Sequence, residues 1–300
     1  MALYQHTSLN QHLQSRFGCR VYKISIDAGF SCPNRDGAKS SLGCIFCDET
    51  GSSSRTHAAG ASIKEQVLNN IKVRKRRFGA QKFIAYFQSY TNTYAPVSVL
   101  KERFDMALSS HPDIIGLSVA TRADCVDEEK LQLLADYRKS APYVCVEYGM
   151  QTIHDQTLQA INRQETHADF LTAAALTQKL GLHMCAHVIL GLPGESHEMQ
   201  MQTARALSRL RIDGVKIHLL AAMQNTPLAK LYESGKWEPM SYEQFIQTAK
   251  DFIAELPPEC IIHRIGGNGH PQFLLAPRWA YTHRQKILNE FNSSLYIFKT

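Results

Sequence analysis

Residues 21–47 read VYKISIDAGFSCPNRDGAKSSLGCIFC, an apolar run of strand length that leads directly into a loop with three cysteines. The first six residues are rich in β-branched and aromatic side chains, which favours a strand. In the loop, Cys32 is followed by the closely spaced pair Cys44 and Cys47. Because a C-x2-C pair brings two thiolates onto one centre without strain, the loop is typical of a metal or cluster site.

The number of cysteines in this loop leaves two interpretations open. Three thiolates leave one coordination position free, as chemistry at a metal requires, whereas structural sites are usually closed. In the alternative, His57 or Cys19 supplies a fourth ligand to a structural zinc ion. The spacing of the cysteines is compatible with both kinds of site.

Five further runs of strand length follow, separated by segments in which apolar residues recur with helical spacing. The runs are 83–87 (FIAYF), 114–119 (IIGLSV), 143–147 (YVCVE), 184–190 (MCAHVIL) and 214–219 (GVKIHL), and the helical segments are 62–78, 97–109, 128–139, 168–180 and 198–210. Such alternation predicts right-handed parallel crossovers. We therefore predict an α/β fold, a partial, six-stranded parallel β/α barrel with an N-terminal extension and C-terminal additions. No repeat or linker divides the chain, so residues 1–300 are expected to form one domain, with a barrel core of about 20–255 and an extension of about 256–300.

A distinctive sequence follows each predicted strand. In order, these are the cysteine loop, QSYTNTY (88–94), ATRAD (120–124), YGMQT (148–152), GLPGE (191–195) and LAAMQNTPL (220–228). Because the carboxyl ends of parallel strands meet at one rim of a barrel, these segments are expected to surround a common site.

The order of these motifs resembles that of a known enzyme family. The cysteine loop, followed by ATRAD, VEYGMQTIHDQTLQAINR and HVILGLPGES, resembles radical S-adenosylmethionine (SAM) enzymes of the elongator-catalytic-subunit type. CPNRDG, GCIFCDETGS and the later LLAPRW are similar to the YhcC/YtqA-type branch, and the similarity covers residues 15–285. Eleven residues separate Cys32 from Cys44 where the most familiar radical SAM pattern has three, and a longer gap is typical of the elongator-like group.

The resemblance implies the cofactors and the type of chemistry. Cys32, Cys44 and Cys47 would hold a [4Fe–4S] cluster whose fourth iron binds SAM. An electron from a donor such as flavodoxin or ferredoxin would cleave SAM to methionine and a 5′-deoxyadenosyl radical, which removes a hydrogen atom from substrate. The cofactor supplies this chemistry, and the protein positions the reactants.

The resemblance also implies SAM contacts at the strand ends. These residues are Gln88, Ser89, Tyr90, Thr121, Arg122, Glu147, Arg163, Ile189 and Gly191. Residues 88–90 lack the glycines of the familiar pattern, and His187 replaces the first glycine of the strand-five motif. For Glu147 and Arg163 the alternative role is structural, as partners in ion pairs, and Glu195 either completes the motif or caps a helix.

Charge and composition bear on partners and location. The net charge of +6 favours an anionic partner such as RNA. Residues 72–77 (KVRKRR) close the helix that borders the cysteine loop, and they form either a solvated helix end or an RNA-facing patch. The amino terminus has no apolar leader and no run is long enough to span a membrane, so we expect a cytoplasmic protein. The resemblance to enzymes of the elongator-catalytic-subunit type, together with the basic charge, implies a tRNA base or an already modified wobble nucleoside as the substrate. The alternatives are a small-molecule substrate and a non-catalytic, zinc-stabilised RNA-binding module.

The remaining candidate residues have mainly structural interpretations. Histidines 187 and 218 lie within apolar strand runs and are expected to be core residues with hydrogen-bond partners. Four other cysteines are expected to be small buried hydrophobic residues: Cys125, Cys145, Cys185 and Cys260. The C-terminal residues expected to shape the substrate side are Arg264, Gly267, Pro277 and Trp279.

Overall fold

A curved sheet of seven parallel strands forms the centre of the computed structural model, which describes residues 6–49, 51, 60–267 and 272–293. In spatial order the strands are β1 (Val21–Ile26), β2 (Lys82–Phe87), β3 (Ile114–Thr121), β4 (Tyr143–Gln151), β5 (His183–Leu190), β6 (Gly214–Leu219) and β8 (Ile261–Ile265). A separate antiparallel pair consists of β7 (Ala222–Met223) and β9 (Leu274–Ala276). The predicted partial parallel barrel is confirmed, but the prediction of six strands is wrong, because β8 pairs with β6 as a seventh.

Helices connect the strands and cover the outside of the sheet. They are α1 (Leu9–Phe17), α2 (Ile63–Phe78), α3 (Val97–Ser109), α4 (Glu128–Asp136), α5 (Asp155–Ala160), α6 (His167–Lys179), α7 (His197–Arg209), α8 (Pro227–Glu233), α9 (Tyr242–Ala254), α10 (Trp279–Thr282) and α11 (Arg284–Ser293). The sequence encodes several helix starts directly. Ser62 and Glu65 form a capping box at α2, and Thr166 and Asp169 form one at α6. Within the described ranges, none of these helices combines the length and apolar character needed to span a bilayer.

The hydrophobic core lies between the sheet and its surrounding helices. Phe87 on β2 packs edge-to-face against Phe104 of α3, and Phe170 of α6 packs in the same way against Tyr148 of β4. All four rings are buried. This packing orients the other face of each strand toward the barrel interior, because successive side chains of a strand alternate between faces.

Helix α1 closes the amino-terminal end of the barrel. Its buried Leu13 belongs to an apolar cluster with Val21, Ile84 and Tyr143 at the beginning of the strands. Cys19 packs against the same cluster. Access to the interior is therefore expected from the opposite, carboxyl-terminal rim, where the loops that follow the strands lie.

The basic run 72–77 lies at the closed end of the barrel. It occupies the last two turns of α2, where Arg20 donates to the carbonyl of Phe78 and Lys75 pairs with Asp113, just before β3. The run is therefore at the far end of the helix that follows the cysteine loop. A crossover helix begins at the carboxyl end of one strand and ends near the amino end of the next, so α2 carries the run away from the loop.

Candidate metal centre and barrel interior

The loop after β1 holds Cys32, Cys44 and Cys47 at the open rim of the barrel. Backbone hydrogen bonds shape it: the amide of Arg35 donates to the carbonyl of Cys32 (2.8 Å), and that of Cys47 to the carbonyl of Cys44 (3.0 Å). Gly43 has a φ of 73°, a conformation that a residue with a Cβ adopts at a cost. Cys44 is buried, and the other two cysteines are partly buried.

Three nitrogen donors face two of the sulfurs. Asn34 Nδ2 lies 3.4 Å from Cys44 Sγ, and Arg163 Nη1 lies 3.8 Å from the same sulfur. Arg35 Nη1 lies 3.7 Å from Cys47 Sγ. Donors of this kind stabilise thiolates, the form of cysteine that binds metals and clusters. The loop thus has the polar surroundings of a ligand set.

The spacing of the sulfurs bears on which centre fits. The sulfurs of Cys32, Cys44 and Cys47 are not all within 4.8 Å of one another, whereas ligands of a single zinc ion with Zn–S bonds of about 2.3 Å would be closer. A cubane attaches its thiolates to different irons and so spreads them more widely. Cys19 is at the closed end of the barrel, and His57 lies outside the described residues. The residues present therefore fit a [4Fe–4S] cluster better than a zinc ion.

Buried ion pairs fasten this loop to the ends of β3 and β4. Arg122 binds Asp124 through Nε (2.8 Å) and Nη2 (2.7 Å) and donates from Nη1 to the carbonyl of Arg163 (2.9 Å). Arg163 Nη2 pairs with Glu165 at 2.7 Å, and Lys39 of the loop pairs with Asp124. Burial lowers the pKa of the Arg122 guanidinium, but Asp124 and Glu165 outweigh this and raise it, so the group stays charged. Both predicted SAM-contacting arginines therefore already have protein partners.

The turn after β2 also packs against the cysteine loop. Tyr90 has a positive φ of 59° and donates its hydroxyl to the carbonyl of Glu49, while its backbone amide donates to the carbonyl of Gly51 (3.2 Å). A Cβ at Gly51 would lie 2.4 Å from the Tyr90 ring. Ser89 is buried beside it, and Gln88 is partly buried. This turn therefore contributes to the shape of the loop.

Other predicted SAM contacts lie along the same rim. Thr121 is buried at the end of β3, with its hydroxyl 2.6 Å from that of Thr93. Ile189 packs in an apolar cluster that Ile45 of the cysteine loop joins. Gly191 has a φ of 85°, and a Cβ there would lie 2.9 Å from the side chain of Met240.

The barrel interior contains a buried carboxylate surrounded by donors from four strands. Glu147 on β4 is fully buried, and its Oε1 accepts from Lys23 of β1 and Ser118 of β3. Its Oε2 lies 2.8 Å from His187 Nε2 on β5 and accepts from Lys216 of β6 at 2.5 Å. Burial raises the pKa of Glu147, but Lys216 and Lys23 outweigh it and hold that pKa well below the usual range. The carboxylate is thus charged and fully hydrogen-bonded.

The polar network extends from Glu147 to neighbouring side chains. Lys216 Nζ lies 2.8 Å from the hydroxyl of Tyr86, and Lys23 Nζ lies 3.4 Å from His263 Nδ1. Burial, and then the charge of Lys216, lower the pKa of His187 to about 4, so this imidazole is neutral near pH 7. The interior contains two lysines and one glutamate. Its lysine side chains can therefore also hydrogen-bond a polar group that enters from the rim.

Sequence reasoning missed several members of this network. Lys23 and Lys216 interrupt the apolar runs VYKISI and GVKIHL, and a charged side chain in a buried strand requires a partner of opposite charge. Those two lysines together with Glu147 were the available signal. Asn34 and Arg35 were also missed, although they lie only two and three residues after Cys32.

The four cysteines that were expected to be buried are buried. Cys125, Cys145, Cys185 and Cys260 are each less than a tenth exposed. Burial raises the pKa of Cys125, Cys145 and Cys260 to about 12, so their thiols are neutral. Among the described residues, ligand atoms of Glu147, Cys185 and His263 lie within 4.8 Å of one another. Since Lys23 and Lys216 already bind that carboxylate, this set is unsuited to a cation.

The C-terminal residues singled out from the sequence lie on or after the strands β8 and β9. Arg264 is on β8, and a Cβ at Gly267 would lie 2.9 Å from His218 Nδ1. Pro277 follows β9 directly, and Trp279 donates its indole N–H to the carbonyl of Met240 (3.0 Å). Trp279 therefore fastens the C-terminal segment to the barrel.

Comparison with family models gives two matches. The model of the radical SAM superfamily matches residues 37–207, and the model of the radical SAM C-terminal domain matches residues 212–296. The first match alone covers more than half of the chain, from within the cysteine loop after Cys32 to within α7.

Several individual proteins are also similar. YtqA of Bacillus subtilis is 37% identical over 294 residues, which are 97% of this chain and 89% of YtqA. YhcC of Escherichia coli K12 is 38% identical over 267 residues, 89% of this chain and 85% of YhcC. A tRNA uridine(34) acetyltransferase of Dehalococcoides mccartyi is 26% identical over 154 residues, 50% of this chain and 33% of that protein.

A solved structure has the same fold. The archaeal Elp3 of Methanocaldococcus infernus superimposes with a TM-score of 0.65 at 17% identity, covering 89% of this chain and 63% of that one.

Proposed function

This chain belongs to the radical SAM superfamily, whose members use a [4Fe–4S] cluster and SAM, and we propose that it cleaves SAM reductively to remove a hydrogen atom from a tRNA nucleoside. The observation that carries the proposal is the cysteine loop at the open rim, with nitrogen donors on two of its sulfurs. The resemblance to the YhcC/YtqA-type branch agrees with the identities to YtqA and YhcC.

Cys32, Cys44 and Cys47 would hold the cluster, which when bound supplies the electron that splits the carbon–sulfur bond of SAM. The protein's own part is to bind and orient. Arg122, with its partner Asp124, fixes the position of the loop relative to β3. With three thiolates as ligands, one iron would remain open to SAM.

We assign SAM to the rim formed by the ends of β2, β3 and β5. The residues assigned to it are Gln88, Ser89, Tyr90, Thr121, Ile189 and Gly191. Arg122, Glu147 and Arg163 act on SAM through the residues that they hold in place, since their polar groups already bind protein partners.

The substrate assignment rests on the relatives and on the charged interior. Proteins named as tRNA uridine(34) acetyltransferases share part of the chain, although the match covers only 33% of the Dehalococcoides protein. The acetyl transfer is therefore not carried over. Lys23, Lys216 and Tyr86 offer hydrogen bonds below the rim, which suits a nucleobase with polar substituents.

Metal content and SAM cleavage test the chemistry together. The protein, purified and reconstituted without oxygen, should contain about four irons per chain and form 5′-deoxyadenosine when reduced with dithionite in the presence of SAM. Cys44→Ala should abolish both properties. Cys260→Ala, which removes a buried thiol away from the loop, is the matched control and should preserve them. One zinc per chain and no reaction with SAM would indicate instead a zinc-stabilised RNA-binding module.

The nucleosides of tRNA test the substrate. Total tRNA from cells with and without the gene should differ in at least one modified nucleoside, and adding back the Cys44→Ala variant should not restore the difference. An identical nucleoside profile, together with active SAM cleavage, would point to a small-molecule substrate.

A further inference from the structure

Two of the three loop cysteines have cationic or amide donors aimed at their sulfurs, and these donors differ in how firmly they are held. Arg163 and Asn34 face Cys44 at 3.8 and 3.4 Å, and Arg35 faces Cys47 at 3.7 Å. Asn34 and Arg35 have no role in the assignments above, and Arg163 is assigned there only as a residue that holds others in place around SAM.

The guanidinium of Arg163 is locked in its orientation toward Cys44. The side chain is 8% exposed, and its Nη2 pairs with Glu165 (2.7 Å) and donates to the carbonyl of Gly149 (2.8 Å). Glu165 in turn accepts from the backbone amide of Ala123 at 2.8 Å. These contacts direct Nη1 to the Cys44 sulfur, and Nε is a buried donor without a hydrogen-bond partner among the described residues.

Asn34 is equally fixed on the other side of the same sulfur. It is completely buried, and its Nδ2 is shared between Cys44 Sγ and the carbonyl of Asn162 at 2.6 Å. Asn162 returns a hydrogen bond from its side chain to the carbonyl of Gly43 (2.7 Å). These hydrogen bonds therefore fix the cysteine loop and the segment that carries Arg163 in position relative to each other.

Arg35 is held more loosely at Cys47. Its Nη1 also donates to the carbonyl of Asp48 at 2.7 Å, and the guanidinium carbon lies 6.0 Å from the centre of the Tyr90 ring. The side chain is partly exposed, so water screens its charge more than that of Arg163.

Resting on the proposed function, we infer that Arg163 and Asn34 are positioning residues that raise the reduction potential of the cluster through their donors to the Cys44 thiolate. In the step concerned, the oxidised [4Fe–4S]2+ cluster gains one electron from a low-potential donor and becomes [4Fe–4S]1+, with no bond broken and no proton transferred. The added negative charge is favoured by a buried cation and by N–H donors on a ligand sulfur. In this assignment, Arg163 acts on the cluster through the Cys44 sulfur, in addition to its indirect role toward SAM.

The test is an EPR-monitored redox titration of the reconstituted protein without SAM, with iron measured in every sample. Arg163→Met should make one-electron reduction at least tenfold less favourable, a shift of about 59 mV to more negative potential. Arg163→Lys keeps the charge and should recover part of the shift. Arg35→Met should shift the potential in the same direction by less, and Arg138→Met, which removes a guanidinium bound to the carbonyl of Leu180, should not shift it.

The outcomes separate this inference from the proposed function. A wild-type protein that takes up no iron contradicts both. A wild-type protein with four irons and SAM cleavage, combined with an unchanged potential in Arg163→Met at full iron content, overturns the inference alone. If Arg163→Met does not retain its iron, Asn34→Asp places a carboxylate at the same sulfur, and an unchanged potential in that variant overturns the inference equally.

Discussion

Glu147 on β4 and Lys216 on β6 form an ion pair inside the barrel, with Oε2 and Nζ 2.5 Å apart and the two side chains 0% and 9% exposed. The strand between them, β5, contributes His187 to the same carboxylate. Since neither charge is well solvated, each depends on the other, and removing one leaves an uncompensated charge in the interior. The interior is therefore both a possible contact surface for substrate and a sensitive element of the fold.

Replacing this carboxylate should destabilise the protein. We expect Glu147→Gln to lower the free energy of unfolding by about 3–5 kcal/mol, because Lys216 and Lys23 lose their counter-ion. Urea denaturation of the cofactor-free protein measures the change. Glu128→Gln is the matched control, since Glu128 pairs with Lys179 at 2.9 Å with both side chains 65% exposed, and it should cost less than about 1 kcal/mol. Equal losses in the two variants would contradict a special role for the buried pair.

Stability should also depend on pH through His187. Its pKa is lowered from 6.5 to about 4 by burial and by Lys216, so the unfolded chain binds a proton at higher pH than the folded protein does. This contribution to stability is complete above pH 6.5 and should be lost as the pH falls toward 4, by about 1.4 kcal/mol per unit of pKa difference. The free energy of unfolding is measured between pH 8 and 4. As the pH is lowered, it should fall less steeply in His187→Gln than in the wild-type protein. The same slope in both proteins would show that His187 does not titrate in this way.

Six of the seven strands could be predicted because each is a run of mostly apolar residues between turn signals. The seventh, β8, is short, and His263 and Arg264 interrupt its apolar pattern, IIHRI. His263 has a reason in the fold, since it contacts Lys23 of β1 across the barrel. A contact between residues 240 positions apart in the chain leaves no local periodicity, so the sequence alone could not reveal it.

The candidate site, like the fold, could be predicted from the sequence only in part. The cysteine triplet could be predicted from its spacing, and its position at the strand ends followed from the rule for parallel sheets. The partners of Arg122 and Arg163 could not, because Asp124 and Glu165 engage them through tertiary packing. A motif indicates which residues meet at the rim, but not which of their polar groups remain free for a ligand.

Two glycines of the GLPGE segment allow a test of the SAM rim. Gly191 and Gly194 both have positive φ, 85° and 80°, but a Cβ at Gly191 would meet Met240 at 2.9 Å, while Gly194 has open space around it. Gly191→Ala should therefore cost more stability than Gly194→Ala, which carries only the backbone strain of about 1 kcal/mol. If SAM binds beside Gly191, SAM affinity, measured by calorimetry on the cluster-loaded protein, should fall several-fold only in Gly191→Ala. An equal loss of affinity in both variants would place SAM elsewhere.

The position of the basic run predicts which rim tRNA contacts. Lys236 is exposed and lies at the open rim, because the indole of the neighbouring Trp237 donates to the carbonyl of Gly191 at 3.2 Å. Arg76 is also exposed, but it lies near the end of α2, at the closed end of the barrel. A substrate nucleoside must reach the cysteine loop, so the flanking phosphates should lie near the open rim. Lys236→Glu should weaken tRNA binding and should lower the slope of log K against log salt concentration by the amount that corresponds to about one phosphate contact. Arg76→Glu should change neither the affinity nor the slope. Filter binding of tRNA over a salt series measures both quantities. The reverse pattern would mean that RNA docks on the basic run, about 20 Å along α2 from the rim that carries the cysteines.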